Sequence, residues 1–277
     1  MVEISSKNPL FRGRAHAQFR RFDCEVSMAI LLFLVMHSLL SVFCQSFFLH
    51  RYSAHRMFAL SPFWEKFFYL MTYVTQGSSF LNPRAYAVLH REHHAYSDTP
   101  DDPHSPHQYP GFAAMMLGTK KRYDNLVSSQ EGAGQAPAWK LIDDIGTSAA
   151  SSVVWGLVYI LYYAYFADHW WMFLLLPVHF FMGPIHGAIV NWCGHLYGYR
   201  NFDLADKSRN TLLFDFITLG ELFQNNHHKF PARPNFAFRW FEWDPTYSVM
   251  LMLDLIGVID MPRRAPRTAR RAQVGIK

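Results

Sequence analysis

The chain has 277 residues and a formal net charge of +5, and 51% of its residues are hydrophobic and 17% aromatic. Its mean hydropathy is only -0.03, because the apolar residues are concentrated in blocks between charged segments. Three cysteines without a paired spacing exclude a disulfide framework, and we expect one domain over residues 1–277.

The first apolar block, residues 26–48, has no charged residue. As a helix it would measure about 34 Å, which matches the hydrocarbon core of a bilayer. It is too long for the apolar core of a secretory signal and lacks a small-residue cleavage site. We therefore predict an uncleaved membrane span.

The next block, residues 58–81, is apolar and aromatic but carries Glu65 and Lys66 near its start and Gln76 late in its length. We predict an interfacial or re-entrant segment. If this block crossed the membrane, the histidines on its two sides would face opposite compartments and would be unable to share a site.

Two further blocks, residues 149–167 and 170–193, are separated only by Asp168 and His169, which predicts a membrane hairpin. Between Arg51 and Lys140 there are 9 lysines and arginines, between Arg200 and Lys277 there are 12, and the hairpin turn has none. The positive-inside rule then predicts that both basic segments are cytoplasmic, although the basic residues of the first 25 positions conflict with this topology. The tail at 263–277 is expected to lie near anionic head groups and not to bind nucleic acid.

Eight of the fifteen histidines fall into four short groups near the ends of apolar segments. The groups are His50 and His55; His90, His93 and His94; Asn191 and His195; and Gln224, His227 and His228. In the second group the spacing i, i+3, i+4 places all three imidazoles on one helical face, so that one helix can hold two metals. Asn191 and His195 are likewise one helical turn apart.

Imidazole ligands suit iron, copper or zinc, and the near absence of cysteine from these groups argues against a structural zinc or iron–sulfur site. More than six histidines from separate elements indicate two metals. Of the seven remaining histidines, five are interpreted as surface or packing residues: His16, His37, His169, His179 and His186.

The spacings His-x4-His, His-x2-His-His, Asn-x3-His and x2-His-His resemble those of the membrane fatty acid desaturases, a family that includes stearoyl-CoA and acyl-lipid delta-9 desaturases. Further matches are the segments Asp98–His104, His195–Arg200 and Gly220–Glu221. The resemblance covers most of the chain. It implies an all-α integral membrane protein with three or four transmembrane helices and a cytoplasmic helical cap that holds a di-iron site.

Carried over position by position, the resemblance implies eight iron ligands: His50, His55, His90, His93, His94, His195, His227 and His228. It implies that Asn191 acts through a bound water. Gln224 stands where many relatives have a histidine, and its carbonyl would ligate iron weakly or hold a water.

The implied reaction uses dioxygen and electrons from a separate donor, such as a ferredoxin or cytochrome b5, to introduce a cis double bond into an acyl-CoA or membrane-lipid chain. The compact size suggests a bacterial inner membrane, with the active site on the cytoplasmic side. A hydroxylase or an oxidative decarboxylase on the same histidine framework is an alternative within enzymes. A non-catalytic membrane metal-binding protein is an alternative of another class.

Several neighbouring residues have two open interpretations. The motif residues Asp98, Asp101, Asp102 and His104 would orient ligand histidines or form a plain turn. Five cations near the boxes would receive a phosphate-bearing head group or would reflect the positive-inside rule: Arg84, Arg91, Arg200, Lys229 and Arg233. The aromatic segments 58–81 and 236–243 would line an acyl tunnel or anchor the chain at the membrane interface.

Overall fold

The computed structural model describes residues 28–129, 131–213 and 215–262, so the basic tail at 263–277 and the first 27 residues lie outside it. The described part is mostly helical. The helices are α1 (Met28–Ala54), α2 (Pro62–Gln76), α3 (Pro83–Tyr96), α4 (Phe112–Ser129), α5 (Lys140–Gly146), α6 (Ala149–Phe166), α7 (Leu176–Phe180), α8 (Met182–Leu196), α9 (Gln224–Lys229) and α10 (Pro245–Leu255). Two short strands, β1 (Ala59–Leu60) and β2 (Ile259–Asp260), pair antiparallel.

Helix α1 continues six residues beyond residue 48, the predicted end of the first membrane span. Its last ten residues, Gln45–Ala54, are wound as a π-helix. In an α-helix, residues five apart lie about 140° apart around the axis, whereas the i→i+5 bond of a π-helix brings them to the same side. The amide of His55 bonds the carbonyl of His50 in this way, at 3.2 Å. The change of winding explains why a His-x4-His spacing serves one site.

Two helices of the described residues are long and apolar enough to cross a membrane, Met28–Ala54 and Ala149–Phe166. Each leaves large apolar side chains exposed along its length, including Leu32 and Val35 on α1 and Val153 and Leu161 on α6. Exposed apolar surface of this extent is typical of contact with lipid.

The third predicted span, residues 170–193, is not one helix. A 3-10 turn and α7 (Trp170–Phe180) meet α8 at an angle of 71°, so that the pair is a broken span or a re-entrant loop. Pro184 has no amide hydrogen for the carbonyl of Phe180, and its ring would collide with that carbonyl in a continuous helix. The break is capped from outside, because Ser78 Oγ donates to the Phe180 carbonyl (3.1 Å) and the amide of Gly183 donates to Ser79 Oγ (3.1 Å). Side-chain capping of this kind makes a helix break tolerable within a membrane.

Helix α2 follows β1 and has only 15 residues, or about 22 Å, which is short of the thickness of a bilayer core. Phe63, Phe67 and Val74 are exposed on its surface. Its interfacial placement stays a prediction. The 3-10 turn that follows, Gly77–Ser79, carries the two serines that cap the break between α7 and α8.

The main core surrounds the π-helical end of α1. Phe47 and Phe48 pack there with Phe68 and Tyr69 of α2 and with Met250 of α10, and all five are buried. This packing gives the π-helical segment a rigid base, and His50 and His55 project from it.

Candidate metal centre

The four histidine groups arrive from helices α1, α3, α8 and α9 and meet at one place. Their eight imidazoles sort into a five-histidine group and a three-histidine group. The first consists of His50, His55, His90, His94 and His227, and the second consists of His93, His195 and His228. Within each group the ligand atoms all lie within 4.8 Å of one another.

The ring nitrogens of the five-histidine group converge on a common point. The Nε2 atoms of His55 and His90 are 2.8 Å apart, those of His90 and His94 are 3.0 Å apart, and those of His94 and His227 are 2.9 Å apart. His50 Nε2 lies 3.0 Å from His227 Nε2. Two ligands at right angles on a metal about 2.1 Å away would be separated by about 3 Å. The spacing is therefore that of nitrogens around a single ion.

Local helix geometry divides the histidines between the two groups. On α3, His90 and His94 are one turn apart and join the five-histidine group, whereas His93 turns toward His195 and His228. On α9, the adjacent His227 and His228 point about 100° apart and serve different groups. The groups share a border, where the ring centroids of His94 and His228 are 4.5 Å apart.

Four histidines are oriented through Nδ1 by a carboxylate. His93 pairs with Asp102 at 2.9 Å, His195 with Asp98 at 2.9 Å and His228 with Asp206 at 3.1 Å. His50 pairs with Glu221 in the same way. An ionised carboxylate only accepts hydrogen bonds, so each Nδ1 carries the proton and Nε2 keeps its lone pair for a metal.

Of the two interpretations of the Asp98–His104 motif, the orienting one describes Asp98 and Asp102, whereas Asp101 is exposed. Sequence reasoning missed the role of Asp206, which has no local signal. From the sequence, Glu221 was noted only as part of a family-like motif. Its position six residues before His227 could have marked it as a candidate for contact with the histidines.

Burial and mutual repulsion lower the pKa values of several of these imidazoles and favour their neutral form. Burial, followed by the neighbouring histidines, lowers the pKa of His55 to about 2 and holds the pKa values of His90 and His227 well below the ordinary range. Burial opposes ionisation of Asp206, but its hydrogen bonds with His228 and Ser208 outweigh this and lower its pKa to about 2. Neutral imidazoles beside ionised carboxylates are the protonation states that bind a cation.

The free nitrogens of the three-histidine group also indicate that these residues fit a metal. The Nε2 atoms of His93, His195 and His228 are buried, yet none has a hydrogen-bond partner in the part of the chain that the structure describes. A buried polar atom without a partner is costly and calls for a ligand or a water. All three belong to one group and are the atoms left free by the carboxylates.

Asn191 and Gln224 line a cavity that His50 and His90 also border. The Nε2 atom of Gln224 donates to the Glu221 carbonyl at 2.6 Å, which directs the amide of this side chain. Gly194 makes room for Gln224, since a Cβ at position 194 would lie 2.5 Å from its Cγ. Whether either side chain contacts a metal stays a prediction.

Arg51 contacts residues that hold the histidines of the five-histidine group in place. Its buried guanidinium donates to Glu221 (2.6 Å) and to Asp244 (2.8 Å) and lies 3.8 Å over the ring of Phe236. Phe236 in turn packs against the ring of His227, with the centroids 4.4 Å apart. Arg51 thus neutralises the carboxylate that orients His50.

A cavity of about 510 Å³ borders the five-histidine group and is mostly apolar. His50, His90 and His104 form part of its wall, and Phe80, Leu81 and Met115 belong to its apolar lining. Its size is in the range of pockets that hold one small ligand. Residues 78–81 of the segment 58–81 line this cavity, whereas no residue of 236–243 is among the described lining residues. Whether these segments serve an acyl tunnel or anchor the chain at the membrane interface stays a prediction.

The basic residues near the boxes are mostly engaged with the backbone. Arg84 is buried and donates to the carbonyls of Leu126, Val127 and Glu131, so its contacts give no support to the interpretation that it receives a head group. Arg200 similarly donates to backbone carbonyls at 204 and 206.

Comparison with known proteins gives one family and several relatives. A family model described as fatty acid desaturase matches residues 27–241. The chain is 28% identical to an acyl-CoA 5-desaturase from Anemone leveillei over 233 residues, which cover 83% of this chain and 70% of that one. It is 26% identical to an sn-1 stearoyl-lipid 9-desaturase from Anabaena variabilis over 217 residues, covering 76% and 74%. It is also 27% identical to a hex-5-enoyl-[acyl-carrier protein] acetylenase from Moorena producens over 250 residues, covering 79% and 72%.

Proposed function

The chain belongs to the fatty acid desaturase family, and from this membership we propose that it is an oxygen-dependent desaturase that introduces a cis double bond into a fatty acyl-CoA or an acyl lipid. It is an oxidoreductase that acts on fatty acyl substrates. One observation carries the proposal beyond membership: eight histidines form two adjacent groups that could each hold a metal ion, and two of them, His50 and His90, line a mostly apolar cavity.

We propose that each group holds one iron. The first would be bound by the five-histidine group and the second by the three-histidine group, with Asn191 acting through a water and Gln224 as a weak ligand or a water holder. When bound, the two irons supply the chemistry of the reaction, in which dioxygen, two electrons and two protons are consumed, two methylene hydrogens are removed and two waters are produced. Nitrogen ligands with open positions suit dioxygen chemistry.

The protein's own residues hold the ligands and the chain in place. The carboxylates keep a proton on the Nδ1 atoms of His50, His93, His195 and His228, and each Nε2 is thereby directed inward. The apolar wall around Phe80 and Leu81 would exclude water and bring one pair of methylenes against the metal side of the cavity.

The proposed location is a bacterial inner membrane, with the histidine groups in a cytoplasmic helical cap. The distribution of lysine and arginine supports this orientation. The two electrons would come from a separate ferredoxin or cytochrome b5 type donor docking on that side.

The test is fatty acid profiling with location of double bonds in a desaturase-deficient host that also expresses a suitable donor. The intact chain should produce a new cis-monoene of unchanged chain length. His94→Ala should produce none, because it removes a nitrogen of the five-histidine group, and His169→Ala, in the turn between the apolar segments, should match the intact chain.

Other products would identify the alternatives. An added oxygen would indicate a hydroxylase, and loss of one carbon would indicate an oxidative decarboxylase. Bound iron without any oxygen-dependent product, despite a competent donor, would indicate a non-catalytic metal-binding protein and overturn the proposal.

A further inference from the structure

The two histidine groups are unequal. One has five imidazoles that converge on a point, and the other has three, so the second metal position has the smaller set of histidine ligands. Its neighbouring carboxamides offer only neutral oxygens, and the amide nitrogen of Gln224 is held by the Glu221 carbonyl. Imidazole nitrogen is a better ligand for iron than a carboxamide oxygen.

His104 is a ninth imidazole beside the three-histidine group. Its ring is stacked at a tilt against His93, with the centroids 4.4 Å apart. The side chain is 3% exposed, and neither ring nitrogen has a hydrogen-bond partner among the described residues. Of the histidines described, only His104 has both of its ring nitrogens buried and unpartnered. Such a group needs an explanation, because buried polar atoms are nearly always bonded.

No hydrogen bond to a described residue fixes the orientation of the His104 ring. The backbone is anchored, because the amide of His104 donates to Asp102 Oδ1 at 3.0 Å, and Asp102 also orients His93. The ring itself has no hydrogen bond to break, and it borders the cavity. A ligand atom of His104 lies within 4.8 Å of those of His93 and Asp102, although it does not share a group with His195 and His228. Binding the same ion as these two therefore requires the ring to turn toward them.

We propose that His104 is a fourth protein ligand of the second metal position and completes the group formed by His93, His195 and His228. The inference rests on the proposed two-iron function. A neutral imidazole is also the form that binds metal, and here no carboxylate holds either of its nitrogens.

The test compares His104→Ala with the intact chain and with His169→Ala, each loaded anaerobically with ferrous iron in detergent. Iron per chain and its loss to a competing chelator are measured, with Mössbauer spectra of the bound iron. We expect His104→Ala to leave the iron of the five-histidine group unchanged and to hold the second iron about 100-fold more weakly. This factor is the upper end of the effect of losing a residue that orients a metal ligand. The spectrum of the second iron alone should change, and His169→Ala should match the intact chain.

Added imidazole provides a readout that a packing role would not move. Because His104 borders the cavity, free imidazole should occupy the space left by His104→Ala and restore the second iron. His104→Gln keeps a polar side chain of similar length and guards against a folding defect, and it should also hold the second iron more weakly.

Two tightly held irons with unchanged spectra in both His104 variants would overturn the inference. Failure of imidazole to restore the second iron in a variant that keeps the first would also overturn it. These outcomes are independent of turnover, so an intact chain that binds two irons and makes no product would refute the proposed function and leave the ligand assignment to be judged by the metal data.

Discussion

Removal of the buried charge of Arg51 should destabilise the protein strongly. The guanidinium is fully buried and contacts two carboxylates that are themselves almost fully buried, Glu221 and Asp244. Arg51→Met keeps much of the side-chain volume but leaves both carboxylates without their cation. Breaking a buried pair in this way costs about 3–5 kcal/mol. For a chain of this size, that loss corresponds to a fall in apparent Tm of about 6–20 °C.

Thermal unfolding in detergent micelles, on chelator-treated protein, would measure the change without a contribution from bound metal. Lys140→Met is the matched control, because Lys140 is exposed and forms an exposed ion pair with Asp144, and it should leave the apparent Tm unchanged. The double variant Arg51→Met/Asp244→Asn should recover part of the loss, since one of the two unpaired charges is removed while asparagine still caps α10. An apparent Tm of Arg51→Met equal to that of the control would refute this reasoning.

Three further predictions follow from single contacts. Asp98→Asn should weaken the hold of the three-histidine group on iron by about 10- to 100-fold in chelator competition, because it removes the carboxylate on His195, and Asp124→Asn on exposed α4 should not. Gly77→Ala should lower the free energy of unfolding by about 2–5 kcal/mol in thermal unfolding, because Gly77 has φ +52° and a Cβ would overlap the Tyr159 hydroxyl. Adding Tyr159→Phe to the same chain should recover part of this loss. Fully additive losses from the two substitutions would refute the clash. Ser148→Ala should lower stability by about 1 kcal/mol through loss of the α6 N-cap, and Ser148→Asp should keep it; equal values for the two variants would argue against the cap.

Much of the helical architecture was accessible from local sequence. The apolar blocks at 26–48 and 149–167 predict helices that overlap α1 and α6, because length and lack of charge are local properties. The block at 170–193 reads equally well as a span, yet the chain breaks there. Its break depends on Pro184 together with Ser78 and Ser79, which lie about a hundred residues away in the chain and supply the missing hydrogen bonds.

The sequence by itself determined which imidazoles stand near one another along the chain, and the spacing on α3 predicts one face that holds two metals. In the structure, His90 and His94 belong to one group and His93 to the other. Only the tertiary structure decided the partition into five and three histidines, because His50 and His227 are 177 positions apart and meet through packing. The tertiary structure likewise decided which carboxylates orient the histidines, those of Asp206 and Glu221 among them, and where His104 lies. Hydrogen-bond partners and metal ligands are set by distances in space, whereas a sequence pattern records only the periodicity of one helix at a time.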